Sequence, residues 1–156
     1  MRKGPLAVLI VLFITVCGQY GFAQSNELFD TLLDEERATL GNAVYFVFLA
    51  AGIAAEDWSP GRSIEELKLR GWGFEEAEVR DEVDLGSLSF LLMQTFNVKG
   101  GIMYSLFPGR RYAARELAYL RFVSGFASPN RVLSGREVTH ILGRTLEYLG
   151  EREVTQ

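Results

Sequence analysis

The feature that most constrains this chain is that it writes one kind of segment three times. LGSLSFLLMQTF, from Leu85 to Phe96, is preceded by LGNAVYFVFLAA, Leu40 to Ala51, and followed by SGREVTHILGRTL, Ser134 to Leu146. In the middle copy Leu88, Leu91, Leu92, Thr95 and Phe96 fall at i, i+3, i+4, i+7 and i+8, which is one stripe of an α-helix. In the last copy Val138, Ile141, Leu142, Thr145 and Leu146 have the same spacing, displaced by 50 residues at every position. The offset extends into the flanks, pairing Glu66 with Glu116, Leu67 with Leu117, Leu69 with Tyr119, Trp72 with Phe122, Val83 with Leu133 and Gly100 with Gly150. The first copy sits at an offset of 45, pairing Leu40 with Leu85, Gly41 with Gly86, Tyr45 with Phe90, Phe46 with Leu91 and Val47 with Leu92.

Each long segment has a shorter helical stretch ahead of it: ELFDTLLDEE from Glu27, SIEELKLR from Ser63 and YAARELAYL from Tyr112. Ser63 with Glu66, and Ser134 with Glu137, have the spacing of a capping box, which predicts helix starts at both serines. DWSPG (Asp57 to Gly61) and ASPNR (Ala127 to Arg131) read as turns, and VKGG and FPGRR bracket a longer linker from Val98 to Arg111. No run of strict apolar alternation argues for a sheet. The expected fold is all-α, with three helix–loop–helix units over residues 26–57, 62–100 and 111–150, each needing its neighbours to bury its apolar face.

A unit of about 50 residues, with a short helix, a loop closing on Gly or Pro and a long helix with a polar start, resembles the S-layer homology (SLH) family. The third unit carries the resemblance best, in ELAYLRFVSGFASPNRVLSGREVTHILGRTL from Glu116 to Leu146. The resemblance implies a non-catalytic module, usually of three copies in an exported chain, that holds cell-wall glycan or peptidoglycan. It further implies contacts from the arginine of a T-R-A-E stretch and from loop residues between units. At that stretch this chain has Ser134, Gly135, Arg136 and Glu137, so serine and glutamate match while the arginine is displaced by one residue, about 100° around a helix. The matching positions of the other units, Thr39 to Asn42 and Asp84 to Ser87, contain no arginine.

The N-terminus reads as a targeting segment. Arg2 and Lys3 precede the apolar run from Pro5 to Val16, and Gly21 and Ala23 are small residues placed for cleavage after Ala23, so residues 1–23 are expected to be a secretory signal peptide and residues 24–156 the mature domain. The competing reading is a lipoprotein signal through Cys17, although Val16 stands where such signals want a small residue. Cys17 is the one cysteine, so a cleaved chain has neither disulfide nor thiolate site, and packing must stabilise it. The apolar stretch from Leu40 to Ile53 is too short to span a bilayer and reads as a core helix. After cleavage no transmembrane span is expected, and the chain is placed in the periplasm or cell envelope.

From Gln24 to Val98 there are 15 Asp or Glu against 5 Lys or Arg, a net of −10, whereas Lys99 to Gln156 has 9 basic against 5 acidic residues, a net of +4. An exported, acidic chain is no nucleic-acid binder; the expected partner is a cell-wall glycan or an envelope protein. Arg110, Arg111, Arg115, Arg131 and Arg136 are the residues that could converge on an anionic ligand, since guanidinium pairs bidentately with carboxylate or phosphate. The competing reading is a solvated surface that balances the acidic half. Trp58, in a turn, is the aromatic best placed to stack on a sugar, whereas Trp72 reads as core. His140 is the only histidine and reads as half-buried or capping; without a second one no zinc-protease motif forms. The carboxylates of EEAEVRDEVD, Glu75 to Asp84, read as a solvated face before they read as an acid/base pair. No catalytic residue, metal ligand or cofactor motif is expected. The leading reading is a non-enzymatic envelope domain that binds peptidoglycan or another anionic envelope glycan. The alternative is a periplasmic protein–protein interaction module with an apolar groove between units.

Overall fold

A computed structural model describes residues 20–154. Of the expected leader, residues 1–23, the part up to residue 19, with Cys17, lies outside the described residues, and Tyr20 to Ala23 lie in the first described helix. Seven helices follow in order: α1 (Tyr20–Asp34), α2 (Leu40–Ala50), α3 (Pro60–Leu69), α4 (Leu85–Thr95), α5 (Ile102–Leu106), α6 (Arg110–Tyr119) and α7 (Gly135–Val154). Among the described residues there is no strand, only two isolated bridges, Thr39 with Glu82 and Asp84 with Val132. The fold is all-α.

The centre is built from the most apolar segments. Every residue from Leu40 to Phe48 in α2 is buried, as are most of α4, including Leu85, Leu88, Leu91, Leu92 and Met93. A helix apolar all round must sit inside, and these two do. Helix α7 is amphipathic: Val138, Ile141 and Thr145 face inward, and Arg136, Arg144 and Glu147 face out. The three long helices touch one another pairwise, and each carries a further helix: α3 on α2, α6 on α4 and α1 on α7. The strongest partners of α2 and α4 are therefore the ten-residue helices α3 and α6 that lie downstream of them in the chain. The pairing of α1 with α7 joins the first and last described helices.

The segments just ahead of the long helices meet in a closed ring of backbone hydrogen bonds. Ala38 donates to the Leu133 carbonyl (2.7 Å), Leu133 to that of Val83 (3.0 Å) and Val83 to that of Ala38 (2.9 Å). All three residues are fully buried. The first N–H groups of a helix have no partner within it. Here neighbouring loops supply one: Leu40 and Gly41 donate to Asp81 and Val79, Leu85 and Gly86 to Arg131 and Pro129, and Gly135 to Glu35. Such close backbone approach explains the repeated Leu-Gly. A Cβ on Gly41 would lie 2.9 Å from the Val79 carbonyl oxygen, and one on Gly86 3.2 Å from that of Pro129.

Side chains complete the caps. Asp84 accepts from the Ser87 N–H at 2.7 Å, and Glu35 accepts from the Thr39 N–H and the Asn42 amide, both at 2.7 Å. Ser134 and Glu137 form the expected reciprocal box, each side chain accepting from the other's N–H. The box expected at Ser63 does not form. Helix α3 begins a turn earlier, with Ser59 as its cap, accepting from Arg62 at 3.2 Å, and Pro60 in the first turn, where its missing N–H costs nothing. Ser63 is buried and donates to the Ser59 carbonyl, while Glu66 pairs with Arg70. DWSPG is thus half turn, half helix. The linker from Val98 to Arg111 is corrected in the same way: it holds α5, and Arg110 and Arg111 already belong to α6.

Equivalent spacing does not always mean equivalent burial. Leu67 and Leu117 are both buried, and Leu69 and Tyr119 are each 83% exposed, so these pairs match in environment. Leu92 is fully buried whereas Leu142 is half-buried, because α7 is wetted on one side and α4 is enclosed. His140 is exposed on α7, not half-buried as expected, since it falls on that outer side.

Candidate functional site

A cleft of about 620 Å³ opens where the loop from Gly73 to Asp84 passes the starts of α2, α4 and α6. Phe74 is the aromatic residue in its lining, and two further rings pack in series with it. Buried Phe74 stacks on Phe90 with ring centroids 6.3 Å apart, and Tyr104 meets Phe90 edge-on at 6.4 Å. Tyr104 is itself buried, with its hydroxyl accepting from Gln94 at 3.0 Å. Burial pushes the Tyr104 phenol above its ordinary pKa, and the Gln94 bond partly offsets that.

The walls carry charge. Glu75, Glu76, Asp81, Glu82 and Asp84 line the cleft with a single cation, Arg110. The Arg110 guanidinium lies 4.6 Å from the centre of the Phe74 ring and donates to the Gly73 carbonyl at 2.9 Å. Several carboxylates have local work: Asp84 caps α4, Asp81 accepts from the Glu78 N–H at 2.8 Å, and Glu82 pairs with Arg37. The run from Glu75 to Asp84 therefore borders this cleft. Its carboxylates accept hydrogen bonds from hydroxyl or amino groups and repel anions.

The arginines singled out by sequence do not converge. Arg110 lines this cleft, while Arg136 lines a separate one of about 330 Å³ beside Asp34, Glu35, Glu36 and Ser134. Arg131 forms an ion pair with Glu137. Burial raises the Glu137 carboxyl's pKa, but the Arg131 guanidinium and the Ser134 N–H and hydroxyl outweigh it and hold the carboxyl below its usual range. Arg111 and Arg115 are exposed on α6, four residues apart and so on one face. Trp58 is half-buried, and the Arg62 guanidinium stands 4.3 Å from its ring centre, covering the face a sugar would use.

Among the described residues no group of three or more His, Cys, Asp or Glu is placed to hold a metal ion. No described helix is long and apolar enough to cross a membrane. Sequence reasoning missed the role of Gly41 and Gly86 as points of close approach and the aromatic residue lining the cleft beside the acidic run. The repeated Leu-Gly was the available signal for the first; Phe74 offered none. Compared with protein-family models, curated proteins and solved structures, the chain matches none of them.

Proposed function

We propose that this chain is a non-enzymatic, exported domain of three SLH-like units that associates with the cell envelope by binding peptidoglycan or another envelope glycan. The observation that carries the reading is the ring at Ala38, Val83 and Leu133, whose members stand at the same offsets, 45 and 50, as the helices they precede. The bonds from Leu40 and Leu85 to Asp81 and Arg131 repeat at those offsets too, which supports three related units closing on one axis. Clefts at the junctions are then the natural glycan sites. In the larger one Phe74 supplies an apolar surface and the carboxylates accept from sugar hydroxyls. An anionic polymer would meet the exposed Arg111 and Arg115 instead.

The alternative, an envelope protein held in an apolar groove between units, has less support, because the clefts beside Asp84 and Ser134 are lined by carboxylates. Sedimenting the full chain with purified peptidoglycan at low salt tests the proposal. Recovery in the pellet, reduced by Glu75→Gln with Glu76→Gln or by Arg111→Ala with Arg115→Ala, is the expected result. A chain that stays in the supernatant contradicts it.

A further inference from the structure

Helix α5 is an addition to the pattern. Between the end of α2 at Ala50 and the start of α3 at Pro60 the chain advances ten positions, and between the end of α4 at Thr95 and the start of α6 at Arg110 it advances fifteen. The five extra residues account for the change of offset from 45 to 50, and five is the length of α5, IMYSL. Five residues are too few to hold a helix in water by themselves. Tyr104 anchors it from below, buried against Phe90 and bonded to Gln94. The residues facing away are Ile102, Met103 and Leu106, with Phe107 beyond them, and they are 79%, 48%, 64% and 60% exposed.

Single exposed apolar residues need no explanation, but four in one anchored projection do. The charge around them identifies what covers them. From Val98 to Arg115 the chain carries Lys99, Arg110, Arg111 and Arg115 and no acid, in a protein whose net charge is −4. Lys99, Arg111 and Arg115 are exposed, and the nearest following carboxylate, Glu116, is half-buried against Gly101 at the foot of α5. An apolar tip flanked along the chain by exposed cations is complementary to a surface with hydrocarbon beneath anionic groups. We infer that α5 with Phe107 is a membrane-docking wedge, which seats Ile102, Met103, Leu106 and Phe107 in the surface of an anionic lipid bilayer while Lys99, Arg111 and Arg115 pair with headgroup phosphates. The inference goes beyond glycan binding and does not depend on it.

The test reads the wedge itself, so that lipid contacts made by the apolar run from Pro5 to Val16 do not mask it. In a full-length Cys17→Ser background, Met103→Cys and, separately, Leu69→Cys are labelled with a polarity-sensitive fluorophore. Leu69 is 83% exposed on α3 and serves as the comparison site. Vesicles of phosphatidylcholine alone and with phosphatidylglycerol are then titrated in, with circular dichroism as the check on folding. The expected result is a blue shift at position 103 that requires phosphatidylglycerol, weakens at high salt as headgroup attraction is screened, and falls at least tenfold in apparent affinity with Lys99→Gln, Arg111→Gln and Arg115→Gln together. Position 69 should not respond. No shift at 103, an equal shift at 69, or a shift at 103 that follows protein concentration without lipid would each overturn the inference, the last by assigning the patch to a second copy of the chain.

Discussion

Glycine to alanine within one helix is expected to have opposite effects at two positions of α7. At Gly143 nothing lies within 4 Å of an added Cβ, so Gly143→Ala should stabilise the protein by about 0.5–1 kcal/mol through helix propensity and reduced unfolded-state freedom. At Gly135 the added Cβ would overlap the carbonyl oxygen of Leu32, with the carbonyl carbon 2.5 Å away. Both atoms are backbone, so no side chain can swing aside; α7 must move off α1. That movement strains buried packing, at about 1–3 kcal/mol, and pulls the Gly135 N–H away from the Glu35 carbonyl, 2.9 Å distant. An unsatisfied buried N–H costs about 1–3 kcal/mol more. The two costs together make the expected loss for Gly135→Ala about 2–6 kcal/mol, against the small gain at Gly143. Urea unfolding followed by circular dichroism measures both. If Gly135→Ala changes stability by less than about 0.5 kcal/mol, or raises it, the close contact of α7 with α1 is wrong.

Leu92→Ala should cost about 2–5 kcal/mol by cavity formation at a fully buried site, and Leu142→Ala clearly less, because Leu142 is half-buried; equal costs in denaturant unfolding would contradict the difference between α4 and α7. Arg121 follows α6 with φ of +61°, at the offset of 50 from Gly71, where φ is +64°. The left-handed conformation costs a side chain about 1–2 kcal/mol and glycine's extra unfolded freedom returns about 0.4–1, so Arg121→Gly should raise stability by about 0.5–1 kcal/mol in the same assay. Glu137→Gln should cost about 1 kcal/mol at neutral pH by weakening the cap of α7. Because the folded-state pKa of Glu137 is lowered, its contribution is complete above the unfolded value of about 4.3 and is lost as pH falls through the folded value, so acid titration of stability should bring wild type and Glu137→Gln together at low pH. A gap that widens on acidification would contradict the Arg131 and Ser134 contacts.

The all-α fold and the positions of the three long helices were legible in the sequence because helical periodicity is a local signal, and the capping box at Ser134 was read correctly for the same reason. Ser63 misled because its motif is equally local while the choice of cap is not: Ser59 with Pro60 offered a better start one turn earlier. Helix α5 was read as linker, since five residues show no period and Tyr104 alone among them is buried. The arginines were grouped by their shared chemistry, but Arg110 and Arg136 open different helices and line different clefts. The cleft over Phe74 depends on how the loop from Gly73 to Asp84 lies against α2, and that path is set by backbone bonds from Leu40 and Gly41 to Asp81 and Val79, acceptors that the repeated Leu-Gly does not identify.

Native-state hydrogen exchange at the amides of Ala38, Val83 and Leu133 is the most direct test of the three-way junction. Each of these N–H groups donates to the next member of a fully buried ring, so none can open without parting the segments that lead into α2, α4 and α7. The three amides should exchange together, among the slowest in the chain and with the free energy of global unfolding. If any one of them exchanges through a local opening while the other two stay protected, the ring is not closed and the segments leading into α2, α4 and α7 do not meet as described.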